Sequence, residues 1–476
     1  MKKYPVPFQR HLISLVCVAI ISAGAVHMWM SRPLFVNSSE SEKDELFKIH
    51  ELYKTIQEDY YEEVNSDLLI EGALQGMTEA LEDPYTTYLQ EEESSELNEM
   101  LLGKFEGIGA TLSIREEYPE IVEEPKENSP AAKSGLEKDD RIIQIDGRET
   151  KGKELSEVVE EIRGEKGSTV LLTIQRAEET LEVKVTRDTI AVESLSFQLD
   201  EDYPTIGSVQ IFSFNGTTAE ELKEAITALR KQGAKSFVLD VRQNPGGYLD
   251  QVEKMASMFL EDDQTIVQFG LKNEIIGETK ASKDLDNGFK VTEPVVVIVD
   301  GQSASASEIL AAALNESADI PVVGQTTFGK GTVQGMNHLS DQSELKMTVQ
   351  KWLTPSGQWI NDKGFNPTYE VPYPAYFDYP SLSASVGLEL EDEAEAVGHL
   401  NEFLSLLGYL TPENKEELFT NETKKALEMF QQENQLSVTG VLDYDTAFAI
   451  ELRLFEQASA TDEMYEKAIE LLNNKD

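Results

Sequence analysis

The densest candidate chemistry in the 476-residue chain lies between residues 294 and 334. Pro294–Val299 is a near-continuous apolar run, the pattern of a strand buried on both faces. It leads into Asp300-Gly301-Gln302-Ser303-Ala304-Ser305-Ala306-Ser307-Glu308, then a small-residue helix. A serine at a strand-to-helix turn can be held out from the sheet as a nucleophile. The N–H groups of the first helical turn can then face a developing oxyanion. Ser305-Ala306-Ser307-Glu308 is also a capping box, S-x-x-E, so this stretch alone leaves cap and nucleophile both open.

A serine nucleophile needs a base, and histidine is scarce. His11 and His27 lie in an N-terminal apolar region, leaving His50, His338 and His399. Gly324-Gln325-Thr326-Thr327-Phe328-Gly329-Lys330 matches the opening of a phosphate loop, G-x-x-x-x-G-K. The next position must be Ser or Thr to hold magnesium, and it is Gly331, so the nucleotide reading fails. Lys330 can instead serve as a general base. An ordinary lysine is protonated near neutrality, but burial in an apolar site frees the amine to take a serine proton. Serine–lysine pairs are a known variant of the histidine triad. A third group steadying the amine must be polar and uncharged, because a carboxylate would favour the protonated form, and Gln334 fits.

The elements that must position these residues follow from the rest of the chain. With 41 Lys and Arg against 88 Asp and Glu, the net charge is −47, which excludes nucleic-acid binding and a polybasic lipid contact. The single cysteine, Cys17, excludes an internal disulfide and a thiolate metal cluster, and no cofactor or metal is expected. Lys2, Lys3 and Arg10 precede a 19-residue apolar run, Leu12–Met30, close to the length that spans a bilayer. Residues 1–32 read as a signal anchor, or as a cleaved signal peptide at Ala23-Gly24-Ala25, and either exports the bulk of the chain.

Residues 43–100 read as helical, with Leu46, Ile49, Leu52, Tyr53, Ile56 and Tyr60 at helical spacing and Glu91-Glu92-Glu93 as a solvated face. Residues 101–190 are short strands around one helix marked by Leu155, Val158, Val159 and Ile162. Residues 191–380 alternate strands and helices. Strands are expected at Ser208–Phe214, Ser236–Val241, Pro294–Val299 and Leu345–Leu353, and helices at Thr218–Gln232 and Ser307–Asn315. Residues 394–456 return to helices, and Glu463–Leu472 is amphipathic.

Family resemblances sharpen these readings. Phe105-Glu106-Gly107-Ile108-Gly109, Ser129-Pro130-Ala131-Ala132 and Asp140–Gly147 together resemble a PDZ domain. That resemblance implies that Phe105, Gly107, Ile108 and Gly109 bind a peptide's C-terminal carboxylate through backbone N–H groups. From Ser305 to Lys330 is 25 residues, and from Lys330 to Gln334 is four. This order resembles the serine–lysine–glutamine triad of the carboxy-terminal processing, or tail-specific, proteases. Leu69–Met77 with Asp83-Pro84-Tyr85, Leu239–Gly247, Thr354-Pro355-Ser356-Gly357 and Lys363–Pro367 resemble further family motifs. Gln302 and Thr368 depart from the family's usual Gly and Asp.

The resemblance implies a multidomain α/β protein: a ClpP/crotonase-like protease core with a β-rich PDZ domain, an N-terminal helical region and a small C-terminal α-helical domain. It assigns Ser305 as nucleophile, Lys330 as base, Gln334 as the orienting amide, and Gly246, Gly247 and Ala306 as the oxyanion hole. Ser303 and Ser307 become structural. Arg163, which ends the PDZ helix, is a regulatory candidate that either complements the helix C-terminus or contacts acids of the core when a tail docks. Residues 396–452, with Leu404–Tyr409, Thr423–Phe430, Gln431 and Leu436–Asp443, resemble a peptidoglycan-binding module.

The expected protein is therefore an exported bacterial serine endopeptidase, at the membrane or the cell wall, that acts on protein C-termini. A homodimer through the N-terminal helices is the expected assembly. The competing class is a non-catalytic scaffold using only the PDZ and wall modules. The charge carries its own prediction: mutual repulsion destabilises the compact state most at low ionic strength. The melting temperature should rise from low to moderate sodium chloride at fixed pH. A flat or falling series would mean the carboxylates are already paired.

Overall fold

In the computed structural model, residues 40–339, 341, 343–373, 379–411, 416–459 and 462–474 are described. The expected anchor over residues 1–32 lies outside them, and no described helix is long and apolar enough to cross a membrane. The chain divides into a unit ending at Tyr88 and a unit from Leu89 onward. In the first, helices Glu40–Asp59 and Ser66–Glu79 leave large apolar side chains in solvent, among them Leu46, Phe47, Leu52, Leu68 and Met77 at 60–69% exposure. Asn65 caps the second helix by accepting from the Asp67 N–H. In the second unit, Glu91–Glu93 form the exposed first turn of helix Glu91–Leu102, as expected of a solvated face.

A six-stranded sheet carries the protease region. Its strands lie in chain order: β1 (Leu195–Leu199), β2 (Ile206–Ile211), β3 (Ser236–Asp240), β4 (Val295–Val299), β5 (Val322–Gly324) and β6 (Tyr369–Glu370). Only β1 runs antiparallel to its neighbour. The crossovers include α1 (Thr218–Gln232), α2 (Leu249–Phe259) and α3 (Ala306–Ala318). The period-two alternation of strands divides the Val-rich runs between two faces. Val295, Val297 and Val299 join the core built with α1–α3. Val296 and Ile298, with Val238 and Val323, face the other way and are covered by Met464, Ala468, Ile469 and Leu472 of α4 (Glu463–Asn473).

Docking of α4 also buries phenols. Tyr373, which donates to Asp300 Oδ2 (3.3 Å), and Tyr465 of α4 are each pushed up to about 12, chiefly by burial. A raised tyrosine pKa means the fold disfavours the phenolate. That contribution to stability is intact below the ordinary value near ~10 and is lost as pH rises through about 12. Thermal melts should therefore fall across this alkaline window. Melts of Tyr373→Phe and Tyr465→Phe should fall less steeply there, and slopes identical to the parent's would refute the assignment.

A second sheet contains the hairpin Thr265–Leu271/Glu274–Lys280, with Thr332–His338 paired along Glu344–Leu353. The PDZ-like region packs helix Leu155–Ile162 on its own sheet through Val158 and Ile162. Three helices, Glu395–Leu406, Asn421–Glu433 and Tyr444–Ser459, share a separate core. In it the buried Gln431 amide donates to Val441 O and accepts from the Thr439 and Gly440 N–H groups, fixing the glycine turn.

Candidate active site

The serine turn is built from three serines of different burial. Ser303 and Ser307 are fully buried, and each donates its hydroxyl to a backbone carbonyl, Val241 O (2.8 Å) and Asn244 O (2.9 Å). Ser305 is only half-buried, at the junction with α3. Its backbone sits at φ 54°, ψ −109°, a region that a non-glycine residue holds only when its surroundings force it. Burial thus sorts the serines, and the strain falls on the one that faces outward.

Glu308 holds that strain. Its buried carboxylate accepts four hydrogen bonds. Oε2 takes the N–H of Ser305 (2.7 Å) and of Lys330 (2.9 Å). Oε1 takes the N–H of Gly329 (2.7 Å) and the hydroxyl of Thr327 (2.6 Å). One side chain therefore ties the serine turn to the lysine loop. Burial raises its pKa, and the four donors pull the other way. In the sequence Glu308 reads only as the glutamate that closes an S-x-x-E capping box; its second task is a contact 22 residues downstream.

Lys330 is half-buried, with its carbonyl held by the Trp352 indole (2.8 Å). The neighbouring Gly331 carbonyl accepts from the Trp359 indole (2.9 Å), and its N–H donates to Asn361 Oδ1 (3.0 Å). A Cβ at Gly331 would come within 2.8 Å of Asn361 N and Trp359 Nε1. The position therefore has no room for the Ser or Thr of a phosphate loop. The amides that would cradle a phosphate are already given to Glu308 and Asn361. Gln334 lies on Thr332–His338 opposite Thr348, beside a bulge, and its Nε2 donates to Thr332 Oγ1 (2.9 Å) and Thr348 Oγ1 (3.4 Å).

The glycine turn after β3 abuts the serine. A Cβ on Gly246 would meet Ser305 Cβ at 2.9 Å and Ala306 N at 3.0 Å, and one on Gly247 would strike Phe214 O at 2.2 Å. The Gly246 N–H is already spent on Asn244 Oδ1 (2.9 Å), so it is not a free oxyanion donor, contrary to the simplest reading of the Gly-Gly pair. Gly247 and Ala306 keep N–H groups with no hydrogen-bond acceptor among the described residues. Asn244, fully buried, also donates to Ile211 O (2.8 Å) and accepts from the Ala304 N–H (3.0 Å), joining β2, the glycine turn and the serine turn. Thr368, at the family's usual Asp position, accepts from Asn315 Nδ2 (2.8 Å) and the Val322 N–H (3.2 Å).

In the PDZ-like region, Gly107 and Gly109 flank Ile108, whose side chain is buried and whose carbonyl accepts from the Ala131 N–H (2.8 Å). Phe105 lies under the Arg163 guanidinium at 5.0 Å. Arg163 pairs with Glu99 of helix Glu91–Leu102 (2.8 Å), not with an acid of the protease core.

A strained serine at the head of a helix is tied through Glu308 to a lysine loop, with a glycine turn packed against it. The model of Peptidase family S41 matches residues 205–371. The activating protease CtpB N-terminal domain matches residues 30–93, a PDZ domain 121–176, and a peptidoglycan binding domain 393–450. The carboxy-terminal processing protease CtpA of Bacillus subtilis is 37% identical over 472 residues, covering 98% of this chain and 99% of that protein. CtpB of the same organism is 38% identical over 425 residues, covering 88% and 87%. The chain belongs to the carboxy-terminal processing protease family and is a multidomain α/β serine-type peptidase carrying PDZ and peptidoglycan-binding-like domains.

Proposed function

We propose that the protein is an extracytoplasmic endopeptidase that cuts proteins near their C-termini by a Ser305–Lys330–Gln334 mechanism. The observation that carries this is the Glu308 carboxylate, which holds the Ser305 and Lys330 backbones on one oxygen. Ser305 Oγ attacks the scissile carbonyl as Lys330 Nζ takes its proton. The N–H groups of Gly247 and Ala306 stabilise the oxyanion. Lys330 then protonates the leaving amine, and water, activated the same way, releases the acyl group from Ser305. Gln334, whose amide nitrogen donates to the hydroxyls of Thr332 and Thr348, is the group assigned to orient the amine.

The substrate's terminal carboxylate docks at the turn of Phe105, Gly107, Ile108 and Gly109. A peptide with a free C-terminus should be cleaved well and its C-terminal amide poorly; equal rates would remove this recognition. Arg163 senses the docked tail through its pair with Glu99, so Arg163→Ala should uncouple tail binding from cleavage. Unchanged kinetics on the free-acid peptide would leave it a helix-capping role.

The apolar run Leu12–Met30 exports or anchors the chain, and the module at residues 393–450 holds it to peptidoglycan. Pull-down on purified cell-wall sacculi, with and without that module, tests the second point. The apolar residues that helices Glu40–Asp59 and Ser66–Glu79 leave in solvent support pairing of two copies. Light scattering on the parent and on Leu52→Glu decides it, a monomer in both cases overturning the pairing.

A further inference from the structure

The C-terminal helix α4 is separated from the rest of the protease sheet by the whole peptidoglycan-binding-like module, yet it lies on β3, β4 and β5. Its first residue is preceded by Asp462, which caps the helix by accepting from the Tyr465 N–H (3.0 Å). The same carboxylate reaches the residue just past the C-terminal end of the central strand β3. Arg242 Nη1 donates to Asp462 Oδ1 (2.9 Å) and Nη2 to Asp462 Oδ2 (2.7 Å), a two-pronged pair. The opposite edge of the guanidinium is taken by Asp240 at the end of β3. Arg242 and Asp240 are 16% and 7% exposed and Asp462 33%, so the pair is only partly screened by water.

Arg242 begins the turn that ends in the glycine pair. Gln243, next in the chain, sits at φ 58°, a left-handed conformation that a non-glycine side chain disfavours. Its N–H donates to Asp300 Oδ1 (3.0 Å), and that oxygen also takes the N–H groups of Gln302 (3.0 Å) and Ser303 (3.0 Å). Asn244, one residue further, accepts the Ala304 N–H and the Ser307 hydroxyl. The strained step between Arg242 and Asn244 is thus held on one side by Asp300. On the other side the clamp is the Arg242 side chain, held by Asp240 and by Asp462, the cap of α4.

We infer that Asp462 is a positioning residue for the peptidase reaction, through which the docked C-terminal helix fixes Arg242 and so the glycine turn against Ser305. The inference rests on the proposed role of Ser305 and of the Gly247 and Ala306 N–H groups. Misplacing such donors by an ångström costs rate rather than substrate affinity. It also makes the helix beyond the wall module part of the active enzyme.

The test uses the full chain and a fluorogenic peptide with a free apolar C-terminus. Asp462→Asn should lower kcat on the order of ten- to hundredfold with KM within about twofold. Asp462→Glu should recover most of the loss, because the two-pronged pair can re-form. Ile469→Asp, which undocks the helix from its apolar face, should lower kcat as well even though Asp462 is present. Parent-like kcat in Asp462→Asn would overturn the inference. So would a loss that Asp462→Glu fails to recover, or one accompanied by the same drop in thermal transition as Ile469→Asp, since either reduces Asp462 to a stabilising residue. Serine-directed labelling of the parent at Ser305 keeps this outcome separate from failure of the peptidase mechanism itself.

Discussion

Lys330→Ala should abolish peptide hydrolysis by several orders of magnitude and leave the fold intact. The two effects separate because the loop is held by its backbone. The Lys330 N–H on Glu308 and the Lys330 carbonyl on the Trp352 indole survive truncation of the side chain. What disappears is the amine, and the other residues of Gly329–Gly331 offer no base. Trp352 and Trp359 report directly, since their indoles bond the carbonyls of residues 330 and 331. Their emission should match the parent's while turnover is lost. In the parent, activity should rise with pH, because only the neutral amine can accept the serine proton. Near-normal turnover in a correctly folded Lys330→Ala protein would remove lysine from the reaction.

Glu308→Gln should cost on the order of a hundredfold in kcat/KM although it changes one atom. Each carboxylate oxygen accepts from two donors. A carboxamide keeps one accepting oxygen and turns an –NH2 toward the other pair, so two donors of the buried network lose their acceptor. An unmatched buried donor costs roughly 1–3 kcal/mol. The penalty falls where Ser305 is strained and where Lys330 is aligned, so activity should suffer before global folding does. Circular dichroism with steady-state kinetics on the variant checks this. Activity within about threefold of the parent would show that the two loops keep their alignment without the charge.

Much of this site is written locally. The run Pro294–Val299 and the stretch Thr218–Gln232 became β4 (Val295–Val299) and α1 almost residue for residue, because a continuous apolar run and a strict amphipathic period each leave one option. The expected strand Ser208–Phe214 lies earlier, at Ile206–Ile211, with Phe214 instead bridging Gly247. Helix Leu249–Phe259 and the hairpin at 265–280 were not foreseen. The hairpin's second strand is mostly exposed, and its turn uses Lys272 at φ 55° in place of an Asn-Gly signal. Thr332–His338 is polar, holds Gly335 and carries a bulge, so its alternation is blurred.

The functional gaps have one cause: they are contacts between distant segments. The period of Glu463–Leu472 announces an amphipathic helix, but nothing local says that it covers the second face of β4. Capping chemistry accounts for Glu308 completely at short range, which hides its reach to the lysine loop. The choice among Ser303, Ser305 and Ser307 came from resemblance, and burial supplies its physical reason. The Gly246 N–H could not be known to be occupied before Asn244 was seen to turn back on it.

The central claim is that Ser305 is the nucleophile. Reaction of the purified chain with a fluorophosphonate probe, followed by mapping of the labelled peptide, tests it most directly. The account predicts a single adduct on Ser305, lost in Ser305→Ala and strongly slowed in Lys330→Ala, with Ser303 and Ser307 unlabelled. Label retained in Ser305→Ala, or found on either neighbouring serine, would contradict it.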